Sequence, residues 1–237
     1  MPLNFSKMHL SEQEIIRREK LADLINMGID PYPAALYPVN SNSVFIKENY
    51  TKEKKEEFKE VCLAGRVMSV RDMGKANFAL IQDSHGRIQA YIRRDDICPD
   101  EDKSLYDTVW KKLIDIGDII GIKGYVFTTK TGEISIHATE ISILNKSLRP
   151  LPIVKEAEGQ TFDAVTDPEF RYRQRYADLI INPSLKKVFE NRSKIVNTIR
   201  EFLNERGALE VDTPVLQSIP GGAAARPFST HHNALVH

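Results

Sequence analysis

The chain has 237 residues, 41% hydrophobic and 28% charged, enough apolar content to bury a core and enough charge to stay in solution. Its 33 basic and 33 acidic residues cancel, which excludes attachment to nucleic acid by bulk charge and confines any such binding to a local surface. No run reaches the roughly 18 apolar residues of a membrane span, and the charged N-terminus lacks a signal-peptide core. Cys62 and Cys98 form neither a metal cluster nor a disulfide framework, so a reduced, cytoplasmic setting without a zinc site is expected.

Residues 1–60 read as a helical extension. Ser11 and Glu14 have capping-box spacing, and Ile15, Ile16, Leu21, Leu24 and Ile25 are the apolar anchors of the helix they open. Gly28 is its expected terminator, and Pro31, Pro33 and Pro38 forbid further regular helix. The mixed-charge run from Lys52 to Glu60 reads as a solvated helix face carrying Phe58.

From Val61 the period changes to two. Val61, Leu63, Gly65 and Val67 alternate, with the glycine marking a bend or a close approach. Asn77 to Asp83, a turn at Ser84-His85-Gly86, and Arg87 to Arg94 read as a hairpin. A helical segment around Leu105, Val109, Trp110, Leu113 and Ile114 stops near Gly117. Two strands follow, Asp118 to Thr129 and Glu133 to Leu144, joined at Lys130-Thr131-Gly132. Three strands, a helix and two strands within residues 61–147 is the order of an OB-fold barrel.

Residues 148–182, with Pro150, Pro152 and Gly159 near their start, are expected to be a linker. Asn182 and Pro183 then offer an N-cap and a first helical residue for an amphipathic helix with Leu185, Val188, Phe189, Ile195, Val196, Ile199, Phe202 and Leu203 as its stripe. Gly207 ends that helix, and Leu209, Val211, Val215 and Leu216 read as a strand bent at Pro214. The fold class is thus α+β.

Three segments could carry chemistry. Arg71, Phe78 and Gln89 fall on the first three barrel strands, the face on which OB-folds bind single-stranded nucleic acid: a ring for stacking, an amide for base edges, a cation for phosphate. The same types equally suit barrel core for Phe78 and a surface amide for Gln89. The loop Gly221-Gly222-Ala223-Ala224-Ala225-Arg226 could admit a ligand close to its backbone or be a plain surface turn. Arg171-Tyr172-Arg173-Gln174-Arg175-Tyr176 could track a nucleic-acid backbone, or form a helix whose Arg171 and Arg175 pair with Asp167, Glu169 or Asp178; the second reading is favoured. His231 and His232, adjacent on a strand, would point to opposite faces, which argues against a shared metal ion.

The strings "RYRQRYADLI", "IREFLNERGALEVDTPVLQSIPGGAAARPFSTHHNAL", "GKANFALIQDSHGRIQAYI" and "TKTGEISIHATEISILNKSLRPLP" resemble class II lysyl-tRNA synthetases, most closely from Val61 to Leu235. The resemblance implies an anticodon-binding OB domain at 61–147, and at 183–237 the first helix and strand (motif 1) of a class II catalytic domain with its substrate loop. Arg71, Phe78 and Gln89 match the family residues that hold the central anticodon uridine, with Phe78 stacking on it, and Glu133 a glutamate near the wobble base. Gly221, Gly222 and Ala223 match a mobile loop that closes over bound lysine. The stripe from Leu185 to Leu203 and the strand after it match the homodimer seam.

By the same resemblance the activity is lysine–tRNA ligation with ATP and Mg²⁺, by way of a lysyl-adenylate, and the partner is the lysine-specific tRNA. Motifs 2 and 3 and the acidic magnesium ligands of that family are not found in these 237 residues, so the chain alone is expected to bind tRNA but not to form adenylate, with no catalytic residue of its own. Other readings are a stand-alone OB-fold tRNA-binding module, an aspartyl- or asparaginyl-tRNA synthetase, and a synthetase-like ligase that modifies a translation factor. "GGAAARPFSTHHNAL" argues against the aspartyl and asparaginyl enzymes, and the barrel against the factor-modifying ligase.

Overall fold

In the computed structural model, which describes residues 10–152, 155–157, 160–162 and 167–214, Ser11 caps the first helix as its spacing to Glu14 requires. Ser11 Oγ accepts the Glu14 N–H at 3.4 Å while the Glu14 carboxylate accepts the Ser11 N–H at 2.9 Å, opening α1 (Glu12–Asn26). Gly28, at φ 76°, ends it in the left-handed region.

The apolar anchors expected on α1 are only partly used. Leu24 is fully buried, but Ile15 and Ile25 are exposed, and Arg17 takes a buried place instead. Its guanidinium donates to the carbonyls of Ser147 and Ile116, each at 2.9 Å. The helix is therefore fastened by a planar charged fork on backbone carbonyls, which hydrophobic periodicity cannot reveal. Beside it, buried Lys146 reaches Asp115 at 2.6 Å and Asp118 at 2.7 Å, and Lys20 of α1 reaches Asp115 at 2.5 Å.

A second short helix, α2 (Ser43–Asn49), is docked by Asp83, which accepts the Ser43 N–H at 2.6 Å and the Ser43 hydroxyl at 2.7 Å. The charged run after it is exposed except at Phe58, which buries its ring edge-to-face with Tyr50 at 5.6 Å.

The barrel comprises β1 (Val61–Asp72), β2 (Ala76–Gln82), β3 (Arg87–Arg93), β4 (Ile119–Thr128) and β5 (Ile134–Asn145), closed in the order β1-β2-β3-β5-β4. Only the β3–β5 pair is parallel. This is the five-stranded OB architecture read from the sequence. Val67, Ile81, Ala90, Ile92, Ile122, Val126 and Ile136 fill the interior at full burial or nearly so. At Gly65 an added Cβ would lie 2.6 Å from Ile81 Cγ2, so the close approach expected there is present.

Between β3 and β4 lie α3 (Arg94–Ile97) and a π-helix (Leu105–Leu113), the latter closed by the Ile114 N–H on the Val109 carbonyl at 3.0 Å. This helix seals one end of the barrel. Tyr106 and Trp110 both donate to the buried Asn77 Oδ1, at 2.6 and 3.0 Å, so the polar atoms sunk there are satisfied. Burial, with Asp72 nearby, pushes the Tyr106 hydroxyl up to about 12, which keeps it a donor.

The chain divides between Asp167 and Pro168 into two compact units. The segment expected to be a linker is not unstructured throughout: Lys155–Ala157 pairs with Gln160–Phe162, and α4 (Pro168–Arg173) and α5 (Arg175–Ile181) occupy its last part. Buried Asp178 is the reason for α5, since it gathers Arg171 at 3.2 Å, Arg175 at 2.7 Å and the Asn182 amide at 2.8 Å. The basic-aromatic segment is therefore helical and ion-paired.

Asn182 ends α5 and does not cap the next helix, α6 (Leu185–Asn204), which starts after Ser184. On α6, Val188, Ile195, Ile199, Phe202 and Leu203 are all exposed. No strand forms at Leu209 and Val211, which are 85% and 65% exposed; a strand exists by pairing, and no described residue pairs with this segment. Val215, Leu216, the loop residues Gly221, Gly222 and Ala223, and His231 and His232 lie outside the described residues.

Candidate nucleic-acid interface

Because β-strand side chains alternate, the residues between the interior positions form an outer face, and register decides which of them meet. Arg71 on β1 faces Phe78 on β2, Phe78 faces Tyr91 on β3, Tyr91 faces His137 on β5, and His137 faces Tyr125 on β4. One transverse row thus crosses every strand of the barrel. A second, two residues along, runs Leu80, Gln89, Ser135, Phe127.

Phe78 is half-buried on this outer face, with its neighbours Asn77 and Ala79 turned inward and buried. The Arg71 guanidinium carbon stands 5.4 Å from the centre of its ring, within cation–π range. From the other side Tyr91 packs at 5.0 Å between ring centres, tilted by 47°. The ring is thus gripped at its flanks and not swallowed by the core.

Gln89 lies in the next outward row from Phe78, opposite Leu80. Its Oε1 accepts the Ser135 hydroxyl at 2.9 Å, which orients the amide and, among the described residues, leaves its NH₂ without a partner. Such a group can donate to a uracil carbonyl and would meet the amino group of cytosine donor to donor. Glu133 stands at the exposed tip of the β4–β5 turn, two residues before Ser135, and its carboxylate is 3.2 Å from Lys47 of α2. Arg71, Phe78 and Gln89 therefore share one face, and Glu133 stands in the turn just before the strand that carries Ser135.

Residues that sequence reasoning passed over complete that face. Tyr91, Phe127 and His137 interlock, with Tyr91–Phe127 at 6.0 Å, Tyr91–His137 at 5.0 Å and Phe127–His137 at 5.7 Å. Tyr125 stacks on His137 at 4.7 Å and 22°, and its hydroxyl lies 2.9 Å from His137 Nδ1. Asp96, from α3, lies 2.6 Å from His137 Nε2. Burial, reinforced by Asp96, raises the Tyr125 hydroxyl above the ordinary tyrosine value and keeps it protonated. The signal for Tyr91 was in the sequence, at spacing two from Gln89; that for His137 was spacing four from Glu133 once the strand pairing is known.

A five-stranded barrel closed in the order β1-β2-β3-β5-β4 is the OB architecture, and residues 61–144 match the family model of the OB-fold nucleic acid binding domain. Residues 167–237 match the family of tRNA synthetases class II (D, K and N).

The chain matches the N-terminal part of class II lysyl-tRNA synthetases. It is 60% identical over 228 residues to a lysine–tRNA ligase of Porphyromonas gingivalis, covering 96% of the chain and 39% of that relative. It is 60% identical over 226 residues to the enzyme of the same name from Azobacteroides pseudotrichonymphae, with 95% and 45% covered, and 57% identical over 227 residues to that of Christiangramia forsetii, with 95% and 39% covered. The chain thus spans about two-fifths of the length of these relatives.

Proposed function

We propose that the barrel reads the anticodon of the lysine-specific tRNA for a lysine–tRNA ligase. In this reading Phe78 stacks on the central uridine, the Gln89 amide donates to a carbonyl of that base, Arg71 meets phosphate or base edge, and Glu133 accepts from the wobble base. The carrying observation is the transverse register that sets Phe78 outward between Arg71 and Tyr91 with Gln89 in the next outward row.

The test is a titration of the 237-residue chain with a lysine anticodon stem-loop and with the same stem-loop carrying cytidine in place of the central uridine. The uridine form is expected to bind several-fold more tightly, because at position 4 of the base the Gln89 donor meets a carbonyl in uridine and an amino group in cytidine. Equal affinities would overturn the reading.

The same proposal places the whole protein in the cytoplasm as a homodimer that activates lysine with ATP and Mg²⁺ and passes it to tRNA. The exposed apolar stripe of α6 supports a helix-mediated dimer seam, and Gly221, Gly222 and Ala223 would close over lysine. Among the described residues, no group of three or more His, Cys, Asp or Glu could hold a metal ion, so no step through magnesium is assigned to them.

A further inference from the structure

Phe78 can present one plane to a base only if something fixes that plane. Its inner edge is set by the β2 backbone, but the ring's tilt is free unless its flank is blocked, and the blocking group is Tyr91 at 5.0 Å. Tyr91 in turn leans edge-on against the imidazole of His137 at 5.0 Å and 77°.

His137 is held at both nitrogens. The Asp96 carboxylate lies 2.6 Å from Nε2, and the Tyr125 hydroxyl lies 2.9 Å from Nδ1, each within hydrogen-bond distance. The Tyr125 ring stacks beneath the imidazole, and Phe127 abuts its edge. A ring clamped by two hydrogen bonds and one stack loses the freedom to flip, which ordinary packing would leave it.

Nothing in the barrel's interior needs this arrangement. The interior is filled by the inward set, Ala90, Ile92, Val126, Ile136 and Ala138, all fully buried. Asp96 also lies outside the barrel strands, on α3, so two separate elements converge on one surface imidazole. The arrangement runs in one direction along the face, from Asp96 through His137 and Tyr91 to Phe78.

We propose that His137 is a positioning residue of the base-stacking seat: clamped between Asp96 and Tyr125, it fixes Tyr91, and Tyr91 fixes the ring plane of Phe78 against which the base lies. It touches no base itself. This rests on the reading of Phe78 as the stacking ring, and it deepens that reading by assigning the strands opposite Phe78 to its support.

The test uses the full chain and two probes, the lysine anticodon stem-loop and the same stem-loop abasic at the central position. The readout is the ratio of the two affinities, which a simple loss of folded protein leaves unchanged because it lowers both alike. The wild-type chain is expected to prefer the intact loop by about 5- to 150-fold, the usual range for one base stacked on one ring.

His137→Ala is expected to cut that ratio by at least about twofold, the lower end of coupling between contacting residues, with binding of the abasic probe unaltered. Tyr125→Phe, which removes only the hydroxyl on Nδ1, keeps the ring stack and should cut the ratio less; it serves where His137→Ala folds poorly. In a Phe78→Ala background, His137→Ala should have no further effect.

If the wild-type ratio is near one, the stacking seat is wrong and this inference falls with it. If the wild-type ratio is large and both His137→Ala and Tyr125→Phe preserve it, the seat stands and the positioning role is overturned.

Discussion

At Phe78 the chemistry depends on where one ring points. An aromatic one register position away would enter the interior beside Ala79 and Ile81, both fully buried, and offer nothing to a base. The same logic governs Gly124 on β4, where an added Cβ would overlap the carbonyl oxygen of His137. Gly124→Ala is expected to push β4 and β5 apart at the point where His137 is seated. A thermal melt should therefore show destabilisation by more than about 1 kcal/mol, the ordinary size of a strained backbone site. A neutral substitution would mean that the strands can separate there without loss. At this scale the sequence was partly legible: strand order put Arg71, Phe78 and Gln89 on the first three barrel strands but left open whether the Phe78 ring faced in or out. It did not reveal Tyr91 beside Phe78 or His137 beside Tyr91, because those contacts depend on the pairing of β3 with β2 and with β5, and β5 lies some forty-odd residues further along the chain.

The elements of the N-terminal extension hold to the barrel through the buried side chains of Leu24, Ile46, Tyr50 and Phe58 and, beside them, through charge and hydrogen bonds. Lys146 is the centre of that attachment, fully buried and shared by Asp115 and Asp118. Lys146→Met would keep the apolar stem and leave the fully buried Asp118 without its cation, while Asp115 keeps Lys20. A loss of about 3–5 kcal/mol in denaturant unfolding is expected, the usual result of removing one partner from a buried pair. No loss would show the pair to be dispensable.

Acid acts on the same contacts. Burial works against ionisation of Asp83 and Asp115, but the Ser43 and Gly86 hydrogen bonds in one case, and Lys146 and Lys20 in the other, outweigh it and hold both carboxyls below the usual range. A carboxyl lowered on folding stabilises the fold above its unfolded pKa and loses that contribution as pH falls through its folded value. The extension should therefore stay docked near neutral pH and loosen below about pH 4. Amide hydrogen exchange in α1 and α2, followed against pH, reads this directly, and protection unchanged down to about pH 2 would contradict it. Of these elements the sequence showed the cap of α1 and all five barrel strands. It missed Arg17 as an anchor because a buried guanidinium resembles a surface one in any pattern count, and it misplaced the start of α6 because Asn182 serves Asp178 before it serves a cap.

For the molecule as a whole, the equality of 33 basic and 33 acidic residues leaves nucleic-acid affinity to a local surface, in our proposal the outer face of the barrel. The exposed cations on the strands of that face near Phe78 and Gln89 are Arg71, Arg87 and Arg93. Log affinity for a stem-loop should fall with log salt at a slope of about −2, from three phosphates at about 0.7 each. A slope steeper than about −5 would mean that a surface elsewhere carries the binding.

The two units differ in how they bury apolar area. The barrel closes on itself, whereas α6 leaves its apolar stripe exposed. Limited proteolysis should leave residues 61–147 intact while cutting beyond about residue 160, and equal protection of both would oppose this.

The most direct measurement is the affinity of the full chain for the lysine anticodon stem-loop with and without the Phe78 ring. Phe78→Ala should weaken binding by roughly 1–3 kcal/mol, about 5- to 150-fold, with the barrel still folded by circular dichroism. Unchanged affinity in a folded Phe78→Ala chain would mean that the outer face of this barrel does not seat the anticodon.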